Sequence, residues 1–107
     1  MDIAALQSQL RAFAAQRHWQ PFHTPKNLST ALMVEAAELA EIFQWMTAEE
    51  SVNASRDAAT KQRIADEIAD VLLYLVQVAD HAGIDIESAV QHKRAANALK
   101  YPAPAAG

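Results

Sequence analysis

From Lys26 to Tyr101 the chain contains no proline and only one glycine, Gly83. Proline ends helices and glycine supplies tight turns, so a stretch this long without either leaves few places to reverse direction. Strands of a sandwich or barrel need turn residues every 8–12 positions, and that spacing is absent. Alanine, the strongest helix former, occurs 24 times. The prolines gather at Pro21, Pro25, Pro102 and Pro104, where they mark the limits of helical segments. The fold class is therefore all-α. The same lack of glycine excludes a glycine-rich phosphate loop and a dinucleotide fingerprint.

Hydrophobic periodicity divides the chain into four main helices. Ile3, Leu6, Leu10, Phe13 and Arg17 make one stripe of a helix over about 2–18. The segment WQPFHTPK, from Trp19 to Lys26, breaks it. Asn27 or Ser29 is then placed to cap a second helix over about 28–46, with Leu28, Leu32, Leu39, Phe43 and Met46 as its stripe. Thr47 to Glu50 has a capping-box pattern, but the polar stretch of about 47–57 reads as a loop or a loose turn. A third helix covers about 57–82 and ends at Gly83. Asp85 caps a fourth over about 86–100. Residues 1–101 form a single domain, and 102–107 are expected to be a flexible tail.

A 107-residue chain with 51% hydrophobic residues has the means to build a packed core. Net charge is −4, which argues against a protein that coats a nucleic acid polymer. There is no cysteine and no apolar run long enough to span a membrane. The start, MDIAALQSQL, does not read as a signal peptide, so a cytoplasmic location without membrane contact is expected. The half of helix three from Ile68 to Ala79 is apolar nearly all round. Such a helix belongs in the middle of a core. Helix three as a whole, about 26 residues and about 39 Å long, is too long for a lone four-helix chain with a radius of gyration of about 13 Å to cover. The expected architecture is a four-helix bundle assembled as an oligomer.

Two acid pairs stand out. Helix two carries Glu35 and Glu38, and helix three carries Glu67 and Asp70, each spaced i, i+3 on one face. Trp45 lies seven residues beyond Glu38, and Tyr74 lies four beyond Asp70. Solvated acidic faces are the plain alternative, and for the first pair alone it is equally good. The second pair weighs against it, because helix three has little polar face to spare. Carboxylates in an apolar setting need a cation, and oxygen donors favour hard divalent ions, Mg²⁺ or also Mn²⁺. A di-iron bundle would need Glu-x-x-His pairs, which are not present. Glu41 extends the first cluster. Lys93, Asn97 and Lys100 share one face of helix four and can hold phosphate oxygens, with Lys26 and Asn27 as further polar contacts. Trp19, Trp45 and Tyr74 can form a slot for a flat base. His23, in a proline-flanked loop, reads as structural.

The stretches FAAQRHWQPFHTPKNL, EAAELAEIFQW and DEIADVLLYL, with Lys93, Asn97 and KYP at 100–102, resemble the MazG-type nucleoside triphosphate pyrophosphohydrolases, and more closely their dCTP pyrophosphatase branch. The resemblance covers nearly the whole chain. It implies Mg²⁺ bound by Glu35, Glu38, Glu67 and Asp70, and cleavage of the α–β phosphate bond of a triphosphate. Trp19, Trp45 and Tyr74 would line the base and sugar pocket. Lys93, Asn97 and Lys100 would hold phosphates, across a subunit boundary if need be. A homodimer or homotetramer is implied. The position on helix one that animal members fill with a base-approaching histidine is Leu10 here. Glu35, or else Glu38, would accept the proton of the attacking water. The expected activity is Mg²⁺-dependent hydrolysis of dCTP or a modified pyrimidine dNTP to the monophosphate and pyrophosphate. The contrasting reading is a non-catalytic helical dimerisation or nucleotide-binding module.

Overall fold

The computed structural model describes residues 1–105, and Ala106 and Gly107 of the expected tail lie outside them. Five α-helices and no strand occur among the described residues: α1 (Ile3–Gln16), α2 (Pro25–Phe43), α3 (Ala48–Asn53), α4 (Ala58–Ala82) and α5 (Ile86–Lys100). Every α-helix starts on a side-chain cap that accepts a backbone N–H: Asp2, Thr24, Thr47, Asp57 and Asp85. Each satisfies a donor that the first helical turn leaves without a partner.

Four boundaries differ from the sequence reading, three of them around α2 and α3. Helix α2 begins at Pro25, with Thr24 rather than Asn27 or Ser29 as its cap. A proline at the first helical position costs nothing, because its missing N–H would have had no partner there. Helix α2 also stops at Phe43, so Met46 falls in the following turn. The stretch read as a loop holds α3 and a short 3₁₀ turn, Ala54–Arg56, because Thr47 and Glu50 close a reciprocal capping box at 3.1 and 3.0 Å.

Helix α1 ends two residues early, at Gln16, and the reason is His18. Its φ is +56°, a left-handed conformation. The Trp19 N–H reaches back to the Ala14 carbonyl at 3.0 Å and the His18 N–H to Ala15 at 3.2 Å, closing the helix end. The turn brings Trp19 back against Phe13, ring centroids 5.6 Å apart and edge to face. Gly83 does the same at the end of α4, with φ +69°.

Helices α2 and α4 pack along one another and form the core with α1. Leu28 and Ile42 of α2, Val76 and Ala79 of α4, and Ala14 of α1 are the buried residues. Two polar ties hold α1 to α4. Gln7 Nε2 donates to the Val76 carbonyl at 2.8 Å, and Arg11 grips both oxygens of Asp80 at 2.6 and 2.7 Å. Helix α5 runs out from this core with no buried residue. The radius of gyration is 17.5 Å, against about 13 Å for a compact chain of this length. The centre of α4 is not fully enclosed: Ile68 is 53% exposed and Leu75 44%. No helix among the described residues is long and apolar enough to cross a membrane.

Because His18 pays for a left-handed backbone that glycine adopts freely, His18→Gly should stabilise the protein by about 0.5–1 kcal/mol. Equilibrium urea unfolding measures this directly, and a loss of stability would contradict the helix-end assignment.

Candidate metal centre and adjoining cavity

The acid pairs are brought together by register. On α2, Glu35 lies seven residues after Leu28 and seven before Ile42, and both of those are buried. Two helical turns separate each step, so Glu35 shares the face that packs on α4. On α4, Ile64, Glu67, Val71 and Tyr74 follow at spacings of three and four and are all half-buried. Glu67 thereby faces α2.

Ligand oxygens of Glu35, Glu38 and Glu67 lie within 4.8 Å of one another. One oxygen of Glu35 (Oε2) and one of Glu67 (Oε2) are buried with no hydrogen-bond partner. An unpaired buried polar atom is costly, and a carboxylate more so. Burial, first, then the neighbouring Glu38 and the charge of Asp70 push the Glu35 carboxyl up to about 7. The Glu67 carboxyl is also raised, by burial first and then by the charge of Glu38. Three oxygen donors at one point, two of them lacking any partner, suit a hard divalent cation. The fit rests on the chemistry of the donors themselves.

Asp70, the fourth expected ligand, stands outside that group of three. Its charge still acts on Glu35 and Glu67. Asp70 opens into a cavity of about 160 Å³, together with Trp19 and Tyr74, as expected, and Leu10. Phe13, His23, Leu73 and Gln77 complete the wall. His23 was read as structural, yet it borders the cavity. Its ring lies 6.2 Å from Trp19 and 6.4 Å from His81, and burial followed by the nearby His81 lowers its pKa.

On the other side of the acids, Glu38 and Glu67 border an open cleft with Glu41, Arg63 and Asp66. Arg63 and Asp66 were not singled out from the sequence. Their spacing from Glu67, four residues and one, was the available signal.

The remaining candidates lie apart within one chain. Trp45 is 89% exposed in the turn after α2 and does not line the cavity. Lys93, Asn97 and Lys100 are exposed on α5, and Lys100 sits over the Tyr101 ring at 5.3 Å. The Asn27 amide donates to the Phe22 carbonyl at 3.0 Å and its backbone N–H to Thr24, so it secures the start of α2. Lys26 is exposed there, with its carbonyl accepting from Ser29 and Thr30.

Residues 30–107 match the MazG-like family. The chain belongs to this family. Human dCTP pyrophosphatase 1 is 40% identical over 102 residues, which cover 95% of this chain and 58% of the human protein. The bovine dCTP pyrophosphatase 1 is 39% identical over 101 residues, 94% of this chain and again 58% of the relative. The chain thus spans little more than half the length of these relatives. A crystal structure of a pyrophosphatase from Archaeoglobus fulgidus superimposes with a TM-score of 0.87 at 40% identity, covering 96% of this chain and 94% of that one. The all-α architecture of this MazG-like chain is therefore shared with a solved pyrophosphatase.

A carboxyl whose pKa rises on folding holds its proton more tightly in the folded state. The Glu35 contribution is complete below its ordinary 4.5 and is lost as pH rises through about 7. His23, with its lowered pKa, works in the opposite direction, so the comparison must isolate Glu35. In chelator, the metal-free wild type should lose thermal stability relative to Glu35→Gln as pH goes from about 5 to 8. Parallel melting curves for the two proteins would contradict this.

Proposed function

We propose that this MazG-like chain is a Mg²⁺-dependent nucleoside triphosphate pyrophosphohydrolase. Its substrate is dCTP or a modified pyrimidine deoxynucleotide, cleaved between the α and β phosphates to a monophosphate and pyrophosphate. The observation that carries this reading is the group Glu35, Glu38 and Glu67, with two buried oxygens lacking partners, set beside an aromatic-walled cavity. The names of the relatives point the same way.

Glu35, Glu38 and Glu67 would hold the cation, Mg²⁺ or Mn²⁺, with Asp70 next to them. When bound, that ion supplies positive charge against the triphosphate and lowers the pKa of water. Trp19 and Tyr74 hold a base by its flat faces. Glu35 or Glu38 takes the proton of the attacking water, whose oxygen bonds to phosphorus as the α–β bridge breaks. Positioning between two rigid helices supplies most of the remaining advantage.

The working unit is a homodimer or homotetramer. What supports this is the partly uncovered centre of α4 and α5, which has no buried residue and exposes Val90 and Leu99. In the assembly, Lys93, Asn97 and Lys100 of one protomer reach the phosphates at its partner's site, and Trp45 closes the pocket. Lys26 and Asn27 flank the entrance. The physiological role is to remove unwanted deoxynucleotides from the cytoplasmic pool.

Incubation with dCTP and Mg²⁺ should release pyrophosphate, and Glu38→Ala or Asp70→Ala should abolish it. Release of orthophosphate alone would refute the cleavage position. Light scattering coupled to size exclusion should give two or four times the chain mass, and monomer alone would refute the shared site.

A further inference from the structure

We infer that Gln77 reads the base, and that among pyrimidines it selects one carrying an exocyclic amino group. The inference rests on the pyrophosphohydrolase reading and assigns a specificity role within the same site. Asp70, Tyr74 and Gln77 are spaced i, i+4, i+7 on α4, so they form one stripe along its face. All three line the same cavity. The stripe runs from the acids at one end to an amide at the other, with an aromatic ring between.

Much of the wall around this amide cannot discriminate by hydrogen bonding. Leu10, Phe13 and Leu73 are hydrocarbon, and the Trp19 indole donates only. The His23 ring is flanked by Trp19 and His81. Gln77 differs because its orientation is held. Its Nε2 donates to the Leu73 carbonyl at 2.9 Å. Reversing the amide would set two acceptor oxygens against each other, so the backbone of α4 decides which way it points. That leaves Oε1 as a part-buried acceptor with a defined direction.

An oriented acceptor prefers a donor. Cytosine offers its N4 amino group where thymine and uracil carry the O4 acceptor. Facing O4, Oε1 would set two acceptors against each other with no donor between them, and such mismatches are rejected.

Gln77 also borders a second cavity of about 180 Å³, with His23, His81 and the Arg11–Asp80 pair on its wall. Gln77 therefore stands where the two cavities adjoin.

The test compares dCTP with dTTP for the wild type and for Gln77→Met, which keeps length and helix propensity but loses the amide. The dCTP-over-dTTP ratio of kcat/KM should fall by about tenfold or more. The change should sit in KM, with kcat for dCTP retained. Gln77→Leu serves as the second variant if the first does not fold. Titration calorimetry with dCMP and dTMP supplies a readout that needs no turnover. Wild type should prefer dCMP, and the variant should lose that preference. Equal losses for both bases, or an unchanged ratio, would overturn the assignment to Gln77. If no triphosphate is hydrolysed while dCMP preference still depends on Gln77, the assignment stands and the hydrolase reading falls.

Discussion

The packing of α2 on α4 takes carboxylate oxygens out of water, and the rest of the molecule is arranged around that cost. Leu28 and Ile42 sit one heptad either side of Glu35, so the apolar seam that joins the helices carries an acid through its middle. Glu67 meets it from the other helix. Two of their oxygens have no partner, and the Glu35 proton is held up to about pH 7 in consequence. Acids in such a seam are costly unless a proton or a cation offsets their charge.

Around this centre the structure divides the work by helix. Helix α4 is the common wall, with the acid Glu67 facing α2 and Asp70, Tyr74 and Gln77 facing the cavity. Helix α1 closes that cavity from the far side, tied down by Gln7 and by the Arg11–Asp80 pair. The left-handed turn at His18 then folds Trp19 back against Phe13, which gives the cavity its aromatic edge. Each element is rigid where it touches the site, as a site built on helices rather than loops requires.

A single chain leaves the arrangement open. The exposed flank of α4 and the unpartnered α5 account for a radius of gyration well above that of a compact domain. The cationic row lies on α5, which has no buried residue, and a site divided between copies is the use proposed for it. Membership of the MazG-like family and close superposition on a solved pyrophosphatase show that this arrangement of helices is shared.

Local rules made much of this legible from the residues alone. The proline-free run specified helices, Asp85 and Gly83 specified their ends, and the i, i+3 spacing specified which acids share a face. These are properties of neighbours in sequence, set by backbone geometry. The start of α2 was misread because Thr24-Pro25 is as good a cap as Asn27, and only the observed hydrogen bond to Thr24 decides between them. Longer-range matters lay beyond such rules. That Glu35 meets Glu67, that Asp70 turns toward the cavity instead, and that Gln77 and His23 border it depend on the rotation of α4 against α2 and α1. That rotation is chosen by packing among residues tens of positions apart. Sequence determined the helices and the acids; the tertiary structure decided which acids share a centre and which side chains line the cavity.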